Sequence, residues 1–170
     1  MWQHTGKERP TFAETPAPGQ ESVWDYPRPP RLLSCEERVE VFDNSSLLAS
    51  TCDAKRIPET ASPPNFYLPC DSVDWSQLLR AQGSSFCEWK GAATYWTLAN
   101  NPEGPVVGWS YDNPNDDFAS IKHHVSFYPG LLTCLVDGEK AQPQPGGFYG
   151  GWITSKVTGP FKGAPGTSHW

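Results

Sequence analysis

Ser85-Phe86-Cys87-Glu88-Trp89-Lys90-Gly91-Ala92-Ala93-Thr94-Tyr95-Trp96-Thr97-Leu98 is the stretch densest in aromatic and β-forming side chains. Such residues fit a pleated, half-buried surface, so the run reads as strand. Gly91 interrupts it, and glycine inside a strand marks a bulge or a bend. The run is therefore two strands around Gly91, or one bent strand. In a strand, alternate residues share a face. Glu88 and Lys90 then point one way, with Cys87 and Trp89 on the other side.

The same grammar extends outward in both directions. Downstream, residues 100–104 form a turn, 106–111 a strand, and 114–121 one short helix entered by Asn113 or Asn115. Strands over 124–128 and 131–136 flank Pro129-Gly130, and Asp137-Gly138 signals a hairpin. Upstream, 71–80 reads as a short helix capped by Asp71 or Ser72. Residues 65–68 form a short strand closed by Pro69, 59–64 a loop, and 55–57 a strand ended by Pro58. The first regular strand is 37–42, where Val39 and Val41 alternate with Arg38 and Glu40. Turn residues 43–46 return it into a partner strand over 47–50. Short strands at about 8–12-residue spacing predict a mostly β fold: a small antiparallel sandwich or open, tent-like barrel with one or two short helices. Alternating βα units are absent, so a doubly wound sheet is not expected.

At 170 residues the chain is one domain. Residues 1–22 are rich in Thr, Pro, Gly and Glu without periodicity and read as a disordered tail. Residues 23–170 form the single β-rich domain, with 36–136 as minimal core and 137–170 as a glycine and aromatic extension. Trp24-Asp25-Tyr26-Pro27-Arg28-Pro29-Pro30-Arg31 is an extended arm, because prolines fix φ and push their neighbours toward open geometry. Its rings are expected to pin it onto the domain.

Charge and motifs exclude several functions. The net charge is −6, and the 13 Lys and Arg are scattered. No basic face for nucleic acid is expected. No apolar stretch approaches the roughly 18 residues of a membrane span. Cys35, Cys52, Cys70, Cys87 and Cys134 are odd in number, and no apolar leader precedes them, which points to reduced thiols in the cytoplasm. There is no C-x-x-C, no H-E-x-x-H, no P-loop and no G-x-G-x-x-G. His123 and His124 are adjacent and would face apart. Neither metal nor other cofactor is expected. Arg56, Lys90 and Lys162 could bind an anion if they converge.

The expected partner is a small organic ligand or substrate. Glu88 and Lys90 form an acid–amine pair able to tune each other for proton transfer, or an exposed pair of little consequence. Cys87 is a nucleophile with His123 or His124 as base, or a small core residue. His124, Ser126 and Tyr128 share a face opposite Val125 and Phe127; that face lines a cavity or is plain outer surface. The catalytic set is then Glu88 as acid or base, Lys90 and Tyr67 polarising an oxygen, and His124 relaying a proton. Arg56, Trp89, Trp96, Trp109 and Tyr128 form the substrate-binding set, with ring walls that exclude water.

The arm Trp24–Pro30, the Cys87–Gly91 motif with Tyr95-Trp96, Trp109-Ser110-Tyr111, His124–Pro129 and Gly146-Gly147-Phe148-Tyr149-Gly150-Gly151-Trp152 together resemble the family catalogued as domain of unknown function 427. The resemblance covers roughly 22–170 and implies a small β-rich domain of the tent or sandwich kind. Members sometimes carry a nucleotidyltransferase label. Such enzymes hold metal with clustered carboxylates, and the one cluster here, Asp116-Asp117, falls at a helix start. Fungal members resemble accessory proteins of secondary metabolism. Polar residues recurring within an aromatic β-core point to a cofactor-free acid–base enzyme, and the resemblance places it at an accessory step, tailoring, cyclising or isomerising, in secondary metabolism. A non-catalytic binding module and an interaction protein using the Pro-rich arm are the alternatives.

Overall fold

The computed structural model describes residues 2–170. Strand makes up 37 % of it and helix 9 %, the latter only as isolated 3-10 turns; several of the sheets are antiparallel and none closes into a barrel. Thr94–Leu98 lies between Gly108–Ser110 and Leu78–Arg80, and Val125–Phe127 forms the far edge beyond Gly108–Ser110. That edge continues, because Leu68 and Val125 exchange backbone hydrogen bonds of 2.8 and 2.9 Å. The exchange attaches a second group in the order Leu33–Cys35, Ala54–Glu59, Ser62–Tyr67. The opposing sheet has Val39–Asp43 between Ser46–Thr51 and Thr133–Val136, with Glu139–Lys140 outermost.

The core lies between these layers. Val39, Val41 and Leu48 of the opposing sheet meet Phe66, Leu68, Val125 and Phe127. Trp152 is fully buried among them. Its Nε1 donates to the Phe127 carbonyl at 2.9 Å, which satisfies an indole that burial would otherwise penalise. Asp137 and Gly138 both have positive φ, 48° and 80°, as a tight two-residue hairpin requires.

Two segments depart from the sequence pattern. Residues 59–64 are not a loop: Ser62–Tyr67 is a strand, turned out of Ala54–Glu59 at Thr60-Ala61, with Ala61 at φ 69°. The pairing shifts register between Ile57 and Glu59, around Pro58. Proline has no N–H to give the ladder, and a bulge absorbs the missing rung. Residues 71–80 are not one helix. They form 3-10 turns at Cys70–Ser72 and Trp75–Gln77, then the strand Leu78–Arg80. Asp74, rather than Asp71 or Ser72, accepts a capping bond from the Ser76 amide. Val73 bridges to Ala49, so sheet contacts override the helical spacing. The expected helix at 114–121 is the 3-10 segment Asp116–Ile121, broken at Phe118.

The segments at both ends of the described chain lie against the domain. Glu21–Ser22 pairs parallel with Val157–Thr158. Residues 2–20, expected as a disordered tail, carry anchors that composition hides. Arg9 makes two hydrogen bonds to Asp25. Phe12 stacks on Trp170 at 5.1 Å and meets the edge of fully buried Trp24 at 5.0 Å. The Pro-rich arm is pinned as its rings suggest, with Trp24, Tyr26 and Arg28 all buried.

Candidate functional site

Strand alternation gives the sheet a second face. Phe66 and Trp96 turn toward the core, so their neighbours Tyr67 and Tyr95 turn away from it, with Trp109. Tyr95 and Trp109 stand opposite each other in register. No second sheet covers this face. The hairpin of Phe86–Cys87 and Gly91–Ala92, the glycine loop around Phe148, and residues Trp2, Arg28 and Lys162 close over it instead. Between them is a cavity of about 730 Å³, within the range of small-molecule sites.

The floor is a chain of rings. Tyr111 lies 6.3 Å from Tyr67, Tyr67 6.2 Å from Trp109, and Trp109 4.7 Å from Tyr128. Tyr67 is fully buried and its hydroxyl accepts a hydrogen bond from Trp109 Nε1 at 3.0 Å. It therefore fixes the indole from the buried part of the floor. Burial pushes the Tyr67 and Tyr111 phenols far up, and pushes Tyr128 up to about 12. Near neutral pH all three are protonated and able to donate. Gly150 closes one side: a Cβ there would fall 2.1 Å from Trp109 Cη2, so only glycine fits the approach.

Five charged residues line the cavity: Arg28, Glu59, Glu88, Lys90 and Lys162. Three of them have partners. Arg28 binds Glu59 at 3.2 Å and the Thr60 carbonyl at 2.7 Å, with its guanidinium 4.3 Å over the Trp2 ring. Lys162 donates to the Trp170 main-chain oxygen at 2.9 Å and lies 4.4 Å over the Trp2 ring, with the Tyr149 ring at 5.5 Å. Burial, then the Arg28 charge, lowers the Lys162 pKa. Lys90 differs. It is only 7 % exposed and its ammonium is 5.8 Å over Phe118. Among the described residues nothing accepts a hydrogen bond from it and no carboxylate pairs with it.

The expected strand alternation through 87–91 is corrected here. Glu88, Trp89 and Lys90 form the turn of the hairpin, with Gly91 at φ 99°. Asn115 holds that turn: its Nδ2 donates to the Trp89 carbonyl at 2.8 Å and its amide to the Lys90 carbonyl at 3.1 Å. Period two does not apply in a turn. Lys90 points into the cavity, whereas Glu88 is exposed at the rim. They do not form a fixed pair.

Of the residues singled out from the sequence, Tyr67, Glu88, Trp89, Lys90, Trp109 and Tyr128 line this cavity. Arg56, Trp96 and His124 lie outside it. Arg56 sits on the opposite side of its strand from Ile57 and ties the arm down, donating to the Tyr26 hydroxyl at 2.7 Å and pairing with Glu21. Trp96 faces the core side, donating to Ser110 Oγ at 2.9 Å. His124 sits 3.3 Å from the Lys122 carbonyl, and burial lowers its pKa. The expected wet face of His124, Ser126 and Tyr128 does not form, because Val125–Phe127 is buried on both sides. Of the three cations that might have converged, Lys90 and Lys162 share the cavity and Arg56 does not.

Sequence reasoning missed Asn115, Gly150 and the Arg28–Glu59 pair. The glycine spacing around Phe148 and Tyr149 was the available signal for Gly150; nothing local marked the others. Asp116 and Asp117 are exposed, and among the described residues no three His, Cys, Asp or Glu side chains gather to hold a metal. No described helix is long and apolar enough to cross a membrane.

Residues 31–141 match the model of a family described as a domain of unknown function, DUF427. No curated protein matches the chain. The matched span carries Tyr67, Lys90, Trp109 and Tyr128, but Arg28, Gly150 and Lys162 of the same cavity come from the flanks.

Proposed function

Because the chain belongs to the domain of unknown function 427 family, whose description assigns no reaction, we propose a function from its own cavity: acid–base catalysis on a small, ring-bearing organic molecule. One observation carries this reading. A lysine only 7 % exposed, whose ammonium has no described protein partner, lies within an aromatic hollow of about 730 Å³. An ammonium that borders a ring-lined hollow without a protein acceptor is free to take an oxygen of a ligand. Water excluded by Trp89 and Trp109 strengthens any interaction the ammonium makes. Lys90 and the protonated Tyr128 phenol would polarise a substrate oxygen. Glu88 would take and return the proton, being the cavity carboxylate that no cation holds. Tyr67 is a positioning residue acting through Trp109. A tailoring or isomerising step in secondary metabolism is compatible with these groups.

The test combines a panel of ring-bearing metabolites with mass detection of products. Glu88→Gln should abolish turnover with little change in melting temperature, since Glu88 is exposed. Turnover that survives in Glu88→Gln defeats the acid–base assignment. Binding without turnover is the second reading. It is favoured by the same exposure, because no described hydrogen bond holds the Glu88 carboxylate, whereas catalytic groups need placement within about 0.5 Å. Ligand binding with no product in any case would select it. The Pro-rich arm supports no third reading, because Trp24 and Tyr26 are buried against the domain.

A further inference from the structure

The chain is acidic, with net charge −6, yet its cavity is not. Arg28, Lys90 and Lys162 oppose Glu59 and Glu88 there, leaving +1. Arg28 is paired with Glu59 and Lys162 donates to a main-chain oxygen, which leaves Lys90 as the cavity cation with no described acceptor. The mouth has an equally definite character. Phe86 and Phe148 are each 76 % exposed, Leu131 51 %, and all line the same cavity. Phe86 stands on the hairpin at one side and Phe148 on the glycine loop at the other. Phe148 packs edge-on against Tyr149 at 5.0 Å. Large apolar side chains left exposed around a hollow mark a binding surface.

Building on the small-molecule reading above, we infer that the ligand is an amphipathic organic anion, with its carboxylate or phenolate oxygen on the Lys90 ammonium, its rings along Trp109 and Tyr128, and an apolar edge emerging between Phe86 and Phe148. An anionic oxygen gives Lys90 the charge-assisted partner that the protein withholds. The ring floor supplies apolar area, and the other unpaired cavity cation, Lys162, already donates to the Trp170 main-chain oxygen, so a monoanion fits the site. A neutral ring molecule would leave the ammonium buried and unpaired. A cation would add repulsion from the cavity's net positive charge. The acidic exterior meanwhile repels bulk anions, so selection takes place inside the cavity rather than at the surface.

Three probes of one shape separate these terms: naphthoate, naphthalene carboxamide and naphthylmethylammonium, titrated by calorimetry near neutral pH. Wild-type protein should bind naphthoate at least about 10-fold more tightly than the carboxamide, the difference expected of one charge-assisted contact. The ammonium probe should bind most weakly. Lys90→Met should erase the gap between naphthoate and carboxamide while carboxamide binding persists. Lys90→Arg, which keeps the charge, should retain the gap and covers the case in which the methionine variant fails to fold. Equal binding of all three probes, or preference for the cation, overturns the anion inference and leaves the small-molecule site standing. Failure of every probe to bind wild-type protein at about 1 mM, a level at which even weak ligands register, overturns the site itself.

Discussion

Replacing Lys90 by methionine should raise the stability of the ligand-free protein. Methionine keeps most of the aliphatic stem, so packing against Phe118 survives the change. What is lost is an ammonium on a side chain 7 % exposed, with no described acceptor. Leaving a charged group buried and unpaired costs about 1–3 kcal/mol or more. The head borders the cavity rather than the packed core, which places Lys90 at the low end, about 1 kcal/mol. For a chain of this length that is a rise of roughly 2–4 °C in Tm. The assay is a thermal melt and a urea titration of both proteins without ligand, read by the near-ultraviolet signal of the tryptophans. An unchanged urea slope would show that the comparison concerns stability alone. A fall in Tm of several degrees would refute the reasoning, because it would mean that Lys90 has a structural partner and is not held in reserve for a ligand.

Gly150→Ala places a Cβ 2.1 Å from Trp109 Cη2 and 3.2 Å from Tyr128 Cε1. It should destabilise by about 1–3 kcal/mol through overpacking and weaken binding of a ring ligand in titrations, since the floor must shift. Deleting residues 1–31 removes Val23, Trp24 and Tyr26 from burial at about 1.5–3 kcal/mol each. Against a total stability of only about 5–15 kcal/mol the truncated chain should melt far lower or fail to fold, as circular dichroism would report. Burial lowers the His124 pKa, with the Lys122 carbonyl acting against it, so as pH falls the unfolded chain takes up that proton first. The stability this confers is intact above about pH 6.5 and is lost as pH drops from there through the lowered folded value. His124→Asn should flatten the decline in urea midpoint over that interval.

The sheet was largely legible because its signals are local. Val39 and Val41 show period-two burial, and Asp137-Gly138 turns where its φ preferences demand. The 71–80 segment misleads because Val73 is claimed by a bridge to Ala49, a partner distant in sequence. The tail misleads for a related reason. Its Pro, Gly and Thr residues suggest disorder, but Phe12 finds Trp24 and Trp170, which only the folded chain brings together. For the site, the motif Cys87–Gly91 falls on the hairpin that borders the cavity, but in a turn and not in an alternating strand. Alternation puts Glu88 and Lys90 together, whereas a turn held by Asn115 sends one inward and the other to the rim. Residue type alone singles out Trp96 and Arg56, and each sits one residue from the side chain that faces the cavity, Tyr95 and Ile57. Side-chain parity depends on which sheet face the core occupies, and the sequence of one strand does not carry that.

The central claim is that Lys90 completes a small-molecule site. A crystal structure of the protein soaked with naphthoate tests it most directly. The account predicts density for the rings against Trp109, with a carboxylate oxygen within hydrogen-bond distance of Lys90 Nζ. Density confined to the outer surface, with the ammonium turned onto Glu88, would contradict it.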